Sequence, residues 1–274
     1  MDSYNMKIFY YHSGTQFRLY SRPVMRMTDE ERYMKEVIEE LEIPKPKHID
    51  YVPMVWNPFE VAYIEKKEMK DVERSEYVSL NRSKQNLIGI CRANKWDFFV
   101  TFTFNPKLVD SSNYEEVCQK ACKWFNNLKE RYCPDMKYLL VPELHKNGTN
   151  YHLHGLIANC KGLKMTVSGK FDKKGNIIYN IPKWKYGWNT ATSVSHSGKV
   201  SNYISKYITK DTNGLLKGKR RYWASKNVLL PKDVCDELFV EDYKEVITRL
   251  APQMKFIKNT YVSPCNRNIY YIEI

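Results

Sequence analysis

The chain has 274 residues, enough for one large core or two modest ones, and sets 44 lysines and arginines against 31 acids for a net charge of +13. Such an excess makes a polyanion the default partner. Seven cysteines, an odd number without any Cys-x-x-Cys, exclude a disulfide framework and a zinc knuckle, and with neither a signal peptide nor a membrane-length apolar run the expected setting is a reducing cytoplasm with no membrane partner.

From the amino terminus, Met6 to Tyr20 alternates like strand, and residues 29 to 42 carry seven acids against Arg32 and Lys35. That window has a charge of −5 and leaves +18 elsewhere. The capping-box pattern Thr28-x-x-Glu31 makes it a solvated helix. A Pro-rich stretch covers 44 to 58 and a basic helical stretch Arg82 to Lys95. Next come a strand over 97 to 104, a helix over 114 to 131 and a hairpin over 136 to 158. A Lys/Gly-rich excursion runs to about Gly175, followed by strands near 176 to 181 and 189 to 196 and a helix around Tyr203. The tail reads as a helix over 231 to 250 and a hairpin from Phe256 to Ile274. Antiparallel strands with helices on one face predict an α+β fold. The domain expectation is an accessory region over 1–90, a core over 91–226 and a carboxy-terminal helix and hairpin over 227–274.

The hairpin carries the first chemical constellation. Side chains alternate faces along a strand, so His152 and His154 in Tyr151-His152-Leu153-His154-Gly155 share one face. Asn147-Gly148 is a two-residue turn signal, and counting outward from it sets Glu143 across from His152 on that face. An isolated His-x-His is more often a solvent-facing accident; the carboxylate delivered by register raises this pair above that. Two imidazoles and a carboxylate suit Mn²⁺ or Mg²⁺ and would also take Zn²⁺. His145, beside the turn, is expected to be solvent-exposed or to support the ligands from behind.

The second constellation is Tyr203-Ile204-Ser205-Lys206-Tyr207-Ile208-Thr209-Lys210, with Ser197 or Ser201 as the helix start signal. At helical spacing Val200, Ile204 and Ile208 form one stripe, Tyr203 and Tyr207 the next, and Lys206 and Lys210 the one beyond. Each phenol thus has a lysine three positions on, able to offset charge on a phenolate or a phosphate. Spacing alone equally describes an aromatic pair that packs the helix. Basic and aromatic residues also interleave in Lys183-Trp184-Lys185-Tyr186-Gly187-Trp188 and in Lys217-Gly218-Lys219-Arg220-Arg221-Tyr222-Trp223, as a groove for single-stranded nucleic acid requires.

Together these residues resemble the HUH endonucleases, specifically the two-tyrosine rolling-circle replication initiators of small single-stranded DNA phages and plasmids, similar to isometric-phage A proteins and filamentous-phage gene II proteins. Asp97 to Phe104 looks like the family's first motif, Glu143 with His152-Leu153-His154 like its metal motif, and Tyr203-x-x-Lys206-Tyr207-x-x-Lys210 like its tyrosine motif. The resemblance runs from about Ser79 to Trp223. It implies an RRM-like core and a divalent metal held by Glu143, His152 and His154. It also implies catalysis by Tyr203, Tyr207, Lys206 and Lys210, with origin DNA bound by Lys183, Trp184, Lys185, Trp188, Lys217, Lys219, Arg220, Arg221 and Trp223. Nicking would leave a 5′-phosphotyrosyl link and a free 3′-hydroxyl. The chain's only phosphate-loop-like run, Gly214 to Arg220, lacks the full spacing and the Ser/Thr after lysine, so a host helicase and a host DNA polymerase are implied partners. Relaxases use a third histidine where Glu143 stands here, and single-strand transposases carry one tyrosine. A non-catalytic origin-binding repressor is the rival from another class.

Overall fold

The computed structural model describes residues 3–26, 54–57, 62–65, 71–145, 148–194, 201, 203–204, 219–262 and 266–274. The chain divides into two compact units, one made of Met1–Lys7, Phe17–Ser79 and Glu237–Ile272, the other of Ile8–Gln16, Leu80–Asp236 and Glu273–Ile274. The expected acidic helix over 29 to 42 lies outside the described residues.

In chain order the strands are β1 (Ser3–Tyr11), β2 (Gly14–Met25), β3 (Met54–Asn57), β4 (Ala62–Glu65), β5 (Phe98–Phe102), β6 (Lys137–Leu144), β7 (Tyr151–Ala158), β8 (Thr166–Phe171), β9 (Ile177–Asn180), β10 (Asn189–Ser193), β11 (Trp223–Ala224), β12 (Cys235–Leu238), β13 (Phe256–Val262) and β14 (Arg267–Glu273). The helices are α1 (Asp71–Ala93), α2 (Tyr114–Arg131) and α3 (Tyr243–Leu250). One sheet has the order β12-β1-β2-β14-β13; in the first unit the buried Asn5 side chain both donates to and accepts from the Val240 backbone at 2.7 Å. β3 and β4 form a separate antiparallel pair.

The larger unit holds a sheet of order β11-β6-β7-β5-β10-β9-β8, antiparallel at every pairing. Its central strands are apolar on both faces and its two sides bury different partners. Val100, Phe102, Leu140, Leu153 and Ile157 point to one side and cluster with α2. That helix begins where the Asn113 side chain accepts a hydrogen bond from the Glu116 backbone N–H at 3.1 Å, satisfying one of the donors that a first turn leaves without an intrahelical partner. Its buried residues, Val117, Ala121, Trp124, Phe125 and Leu128, follow the three-and-four spacing of a single stripe. Each large apolar side chain in that stripe contributes on the order of 1.5–3 kcal/mol by leaving water.

Leu139, Val141, Leu156 and Ala158 point the other way and cluster with Leu87, Ile90 and Cys91 of α1 and with Ile204. The α+β expectation holds: α2 covers one face of an antiparallel sheet, and α1 adds a layer on the other. Strand β8 lies inside the stretch read as an excursion. Its residues are almost all exposed and a bulge interrupts its pairing with β9, so it has no buried side to print an alternation on the sequence.

The expected helix over 231 to 250 is corrected. A 3₁₀ turn spans Pro231–Val234, Cys235–Leu238 is strand, and helix begins only at Tyr243, where the Asp242 side chain caps the Lys244 N–H at 2.7 Å. Pairing beside β1 offers this segment a full ladder of backbone hydrogen bonds, which outweighs its weak helical periodicity.

Candidate functional site

The β6–β7 hairpin delivers the register read from sequence, with Glu143 opposite His152 and Val141 opposite His154. The proposed turn pair lies partly outside the described residues. Gly148 has φ +75°, the left-handed region glycine enters without strain, and its N–H donates to His145 O at 2.8 Å while the His145 N–H donates to Asn150 O at 2.7 Å. The tip is tied down from the side: the Tyr151 N–H donates to Ser111 O and the Ser111 hydroxyl to Asn150 Oδ1, each at 2.7 Å.

His154 is 9% exposed and sits where the apolar layer under α1 gives way to polar side chains. Its Nε2–H donates to Glu143 Oε2 at 2.6 Å, since a carboxylate can only accept. In the neutral ring Nδ1 is then the acceptor, and the Thr101 hydroxyl on β5 donates to it at 3.1 Å. Thr101 stands opposite His154 in the β5–β7 ladder, so the sheet sets both partners of this imidazole. His152 is half-buried beside it, with ring centroids 6.4 Å apart, and lies 4.8 Å from the His145 ring. Burial lowers the His152 pKa below the usual imidazole value, the charge of His145 lowers it further, and Glu143 opposes both. His152 is therefore held in the neutral form that a metal ligand requires.

Phe99, two residues before Thr101 and on the same face, connects this group to the tyrosine. Its ring stacks on His154 at 6.1 Å and meets Tyr203 edge-on at 5.2 Å. Ser201, Tyr203 and Ile204 are helical; Ile204 is fully buried against Leu139, Val141 and Leu156, while Tyr203 is 48% exposed. The predicted stripes thus hold at these residues, with isoleucine seated on the sheet and tyrosine on its flank. Lys206, Tyr207, Lys210 and Lys217 lie outside the described residues.

Residues 97–212 match the model of a family of replication-associated proteins, named for ORF2 and the gene II protein. The matched segment starts one residue before β5 and contains Glu143, His152, His154, Tyr203 and Tyr207, so it covers this face of the sheet from motif to motif. No curated protein and no solved structure matches the chain significantly. The match supports a replication-associated function of the rolling-circle initiator kind, and among the described residues no helix is long and apolar enough to cross a membrane.

Several of the basic and aromatic residues expected at such a protein's DNA interface have other duties. Trp184 is corrected: at 3% exposure its ring packs among Phe102, Phe104 and Trp124, and its Nε1–H donates to Thr103 O at 3.1 Å. An indole so placed fills the core and has no face left for a base. Lys183 lies over the Tyr132 ring at 3.5 Å. Lys219 pairs with Glu115 at 3.3 Å and sits over the Tyr114 ring, while Arg220 accepts the Tyr114 hydroxyl on its carbonyl at 2.5 Å. Arg221 reaches Ser83 at 3.5 Å. Trp223 pairs with Leu140 at the sheet edge and leans on Tyr114. Lys185 and Trp188 remain at the surface, Trp188 82% exposed.

Among the described residues, no group of three or more His, Cys, Asp or Glu side chains is gathered so as to hold a metal ion as it stands. The donor chemistry nevertheless fits one: two imidazoles and a carboxylate on a single face, His152 neutral, and the proton between His154 Nε2 and Glu143 the one an ion would displace. Sequence reasoning missed Phe99 and Thr101. Their alternation with buried Val100 marks them as one face of β5, but only the β5–β7 pairing puts that face beside His154.

Proposed function

We propose that this chain is a nicking and joining enzyme for single-stranded DNA that initiates rolling-circle replication at an origin. One observation carries the reading: Tyr203, Phe99, His154 and Glu143 form a continuous contact chain on one sheet face, so a candidate nucleophile and a candidate metal-ligand pair open on the same surface. Glu143, His152 and His154 would hold the divalent ion, Mg²⁺ or Mn²⁺. When bound, it supplies Lewis-acid polarisation of the scissile phosphate.

The remaining chemistry belongs to the side chains. A tyrosine oxygen attacks phosphorus in line, and the bond to the 3′-oxygen breaks, leaving a 5′-phosphotyrosyl link and a free 3′-hydroxyl. Ile204 holds the helix that carries Tyr203 on the sheet, while Phe99 sets the approach of the phenol and excludes water from one side of His154. Thr101, whose hydroxyl both donates and accepts, keeps the His154 ring oriented in either tautomer. Lys206 and Lys210 offset the charge that gathers on phosphate and phenolate, and Tyr207 acts after one round, cutting the regenerated origin so that the free 3′ end resolves the first link. The phosphotyrosyl bond conserves the energy of the phosphodiester, so joining needs no nucleotide cofactor. The 3′-hydroxyl primes a host polymerase, and a host helicase opens the duplex.

The test is incubation with circular single-stranded DNA and Mn²⁺, followed by a denaturing gel. A covalent protein–DNA adduct that EDTA suppresses is the expected result. Tight binding with no adduct would assign the chain instead to non-catalytic origin recognition.

A further inference from the structure

The most exposed large aromatic ring among the described residues belongs to one of the most firmly anchored pieces of backbone. Trp188 is 82% exposed, yet its carbonyl accepts from both the Thr103 N–H at 2.8 Å and the Thr103 hydroxyl at 3.0 Å, and the Asn105 N–H donates to Tyr186 O at 2.7 Å. Between them Gly187 lies so close to the chain beyond β5 that a Cβ there would come within 2.4 Å of Thr103 O. The segment is therefore pinned as an extra rung of the sheet while its indole is left facing water. An indole left in water on a rigid support forfeits the stabilisation that burial supplies, which marks it as a contact surface.

The ring borders a cavity of about 660 Å³, a size that suits a planar heterocycle, with Phe104 and Leu108 as apolar lining and Asn105, Asn180 and Lys185 among its polar groups. Its place in the register ties it to the site already described. Thr190 pairs with Thr101, whose hydroxyl contacts His154, and the same register continued by two residues sets Trp188 opposite Thr103. Trp188 thus belongs to the His154 face, two strand positions or roughly 7 Å further along, the scale of one extended nucleotide.

We propose that Trp188 and this cavity form a subsite for one unpaired nucleobase of the substrate strand. The base stacks on the indole, its edge meets the Asn180 and Asn105 amides, and Lys185 takes a flanking phosphate. This deepens the nicking reading and rests on it for the identity of the strand.

The test uses the full chain and two fluorescein-labelled probes of equal charge, a twenty-nucleotide oligothymidylate and its abasic counterpart, with binding followed by anisotropy in EDTA. Trp188→Ala is expected to raise Kd for the thymidylate about tenfold and to leave Kd for the abasic strand unchanged, while Trp188→Phe retains most of the preference, because stacking needs a ring. Lys185→Ala weakens both probes alike. Equal weakening on both probes with Trp188→Ala, or none on either, overturns the subsite. The circular-DNA adduct assay run in parallel separates the two readings. Adduct formation by a chain whose thymidylate binding ignores Trp188 removes the subsite and keeps the enzyme. Trp188-dependent base binding without any adduct keeps the subsite and removes the enzyme.

Discussion

The sharpest link between fold and chemistry is Ile204, which seats the tyrosine helix without touching substrate. Its side chain is fully buried against Leu139, Val141 and Leu156 of the sheet and belongs to the same cluster as Leu87 and Ile90 of α1. Ile204→Ala removes three carbon groups at about 0.8 kcal/mol each in transfer energy, roughly 2.4 kcal/mol. The cavity left among these branched side chains brings the cost into the range of about 2–5 kcal/mol, against about 0.5–1.5 kcal/mol for Ile204→Val. For a unit of this size that amounts to a fall of roughly 5 to 15 °C in Tm for alanine and a few degrees for valine. Circular-dichroism melts of the three proteins measure it, with adduct yield from circular single-stranded DNA recorded well below the lowest Tm. Adduct yield should fall in the order wild type, valine, alanine, since Tyr203 is intact in all three and only its seat loosens. An unchanged Tm for Ile204→Ala would show that the helix is not held by this contact. A lowered Tm with wild-type adduct yield would break the connection between seat and nucleophile.

Tyr203→Phe and Tyr207→Phe are each expected to retain some cleavage of oligonucleotides but to fail in repeated rounds, and the double variant to form no adduct; mass spectrometry of the peptide over 199 to 210 locates the link. His152→Ala and His154→Ala should abolish cleavage with DNA binding largely intact, while Glu143→Gln should raise the Mn²⁺ concentration needed, read by metal-titrated cleavage. Burial first, and then the neighbouring His145, hold the His152 pKa below its ordinary 6.5, so the folded chain resists a proton that the unfolded chain accepts. The contribution of His152 to stability in EDTA should therefore be lost as pH falls below about 6.5, and His152→Asn should flatten that part of the pH profile of chemical denaturation. Neutralising Lys217 and Arg220 should weaken binding to every single-stranded sequence and lower the log–log salt slope by about 0.7 for each phosphate no longer paired; an unchanged slope would make this run a solvated face.

What could be read directly from the chain was whatever depends on near neighbours. Asn113 and the spacing from Val117 to Leu128 define α2, and strand alternation with a glycine-bearing turn sets Glu143, His152 and His154 on one face, because those geometries repeat every few residues. Periodicity states which side chains share a face, not which strand or helix arrives beside it. That is why Phe99 and Thr101, some fifty residues before His154, entered the site only once β5 paired with β7, and why Ile204 found its seat only on the assembled sheet. The same limit separates two tryptophans four residues apart in one basic stretch. Trp184 meets Phe102 and Trp124 and disappears into the core, whereas Trp188 follows a glycine pressed against Thr103 and is left in water. Composition marked both alike, and the long-range packing that divides them exists only in three dimensions. At Cys235–Leu238 the decision went against local preference altogether, because hydrogen bonds to a strand more than two hundred residues away were worth more than another turn of helix.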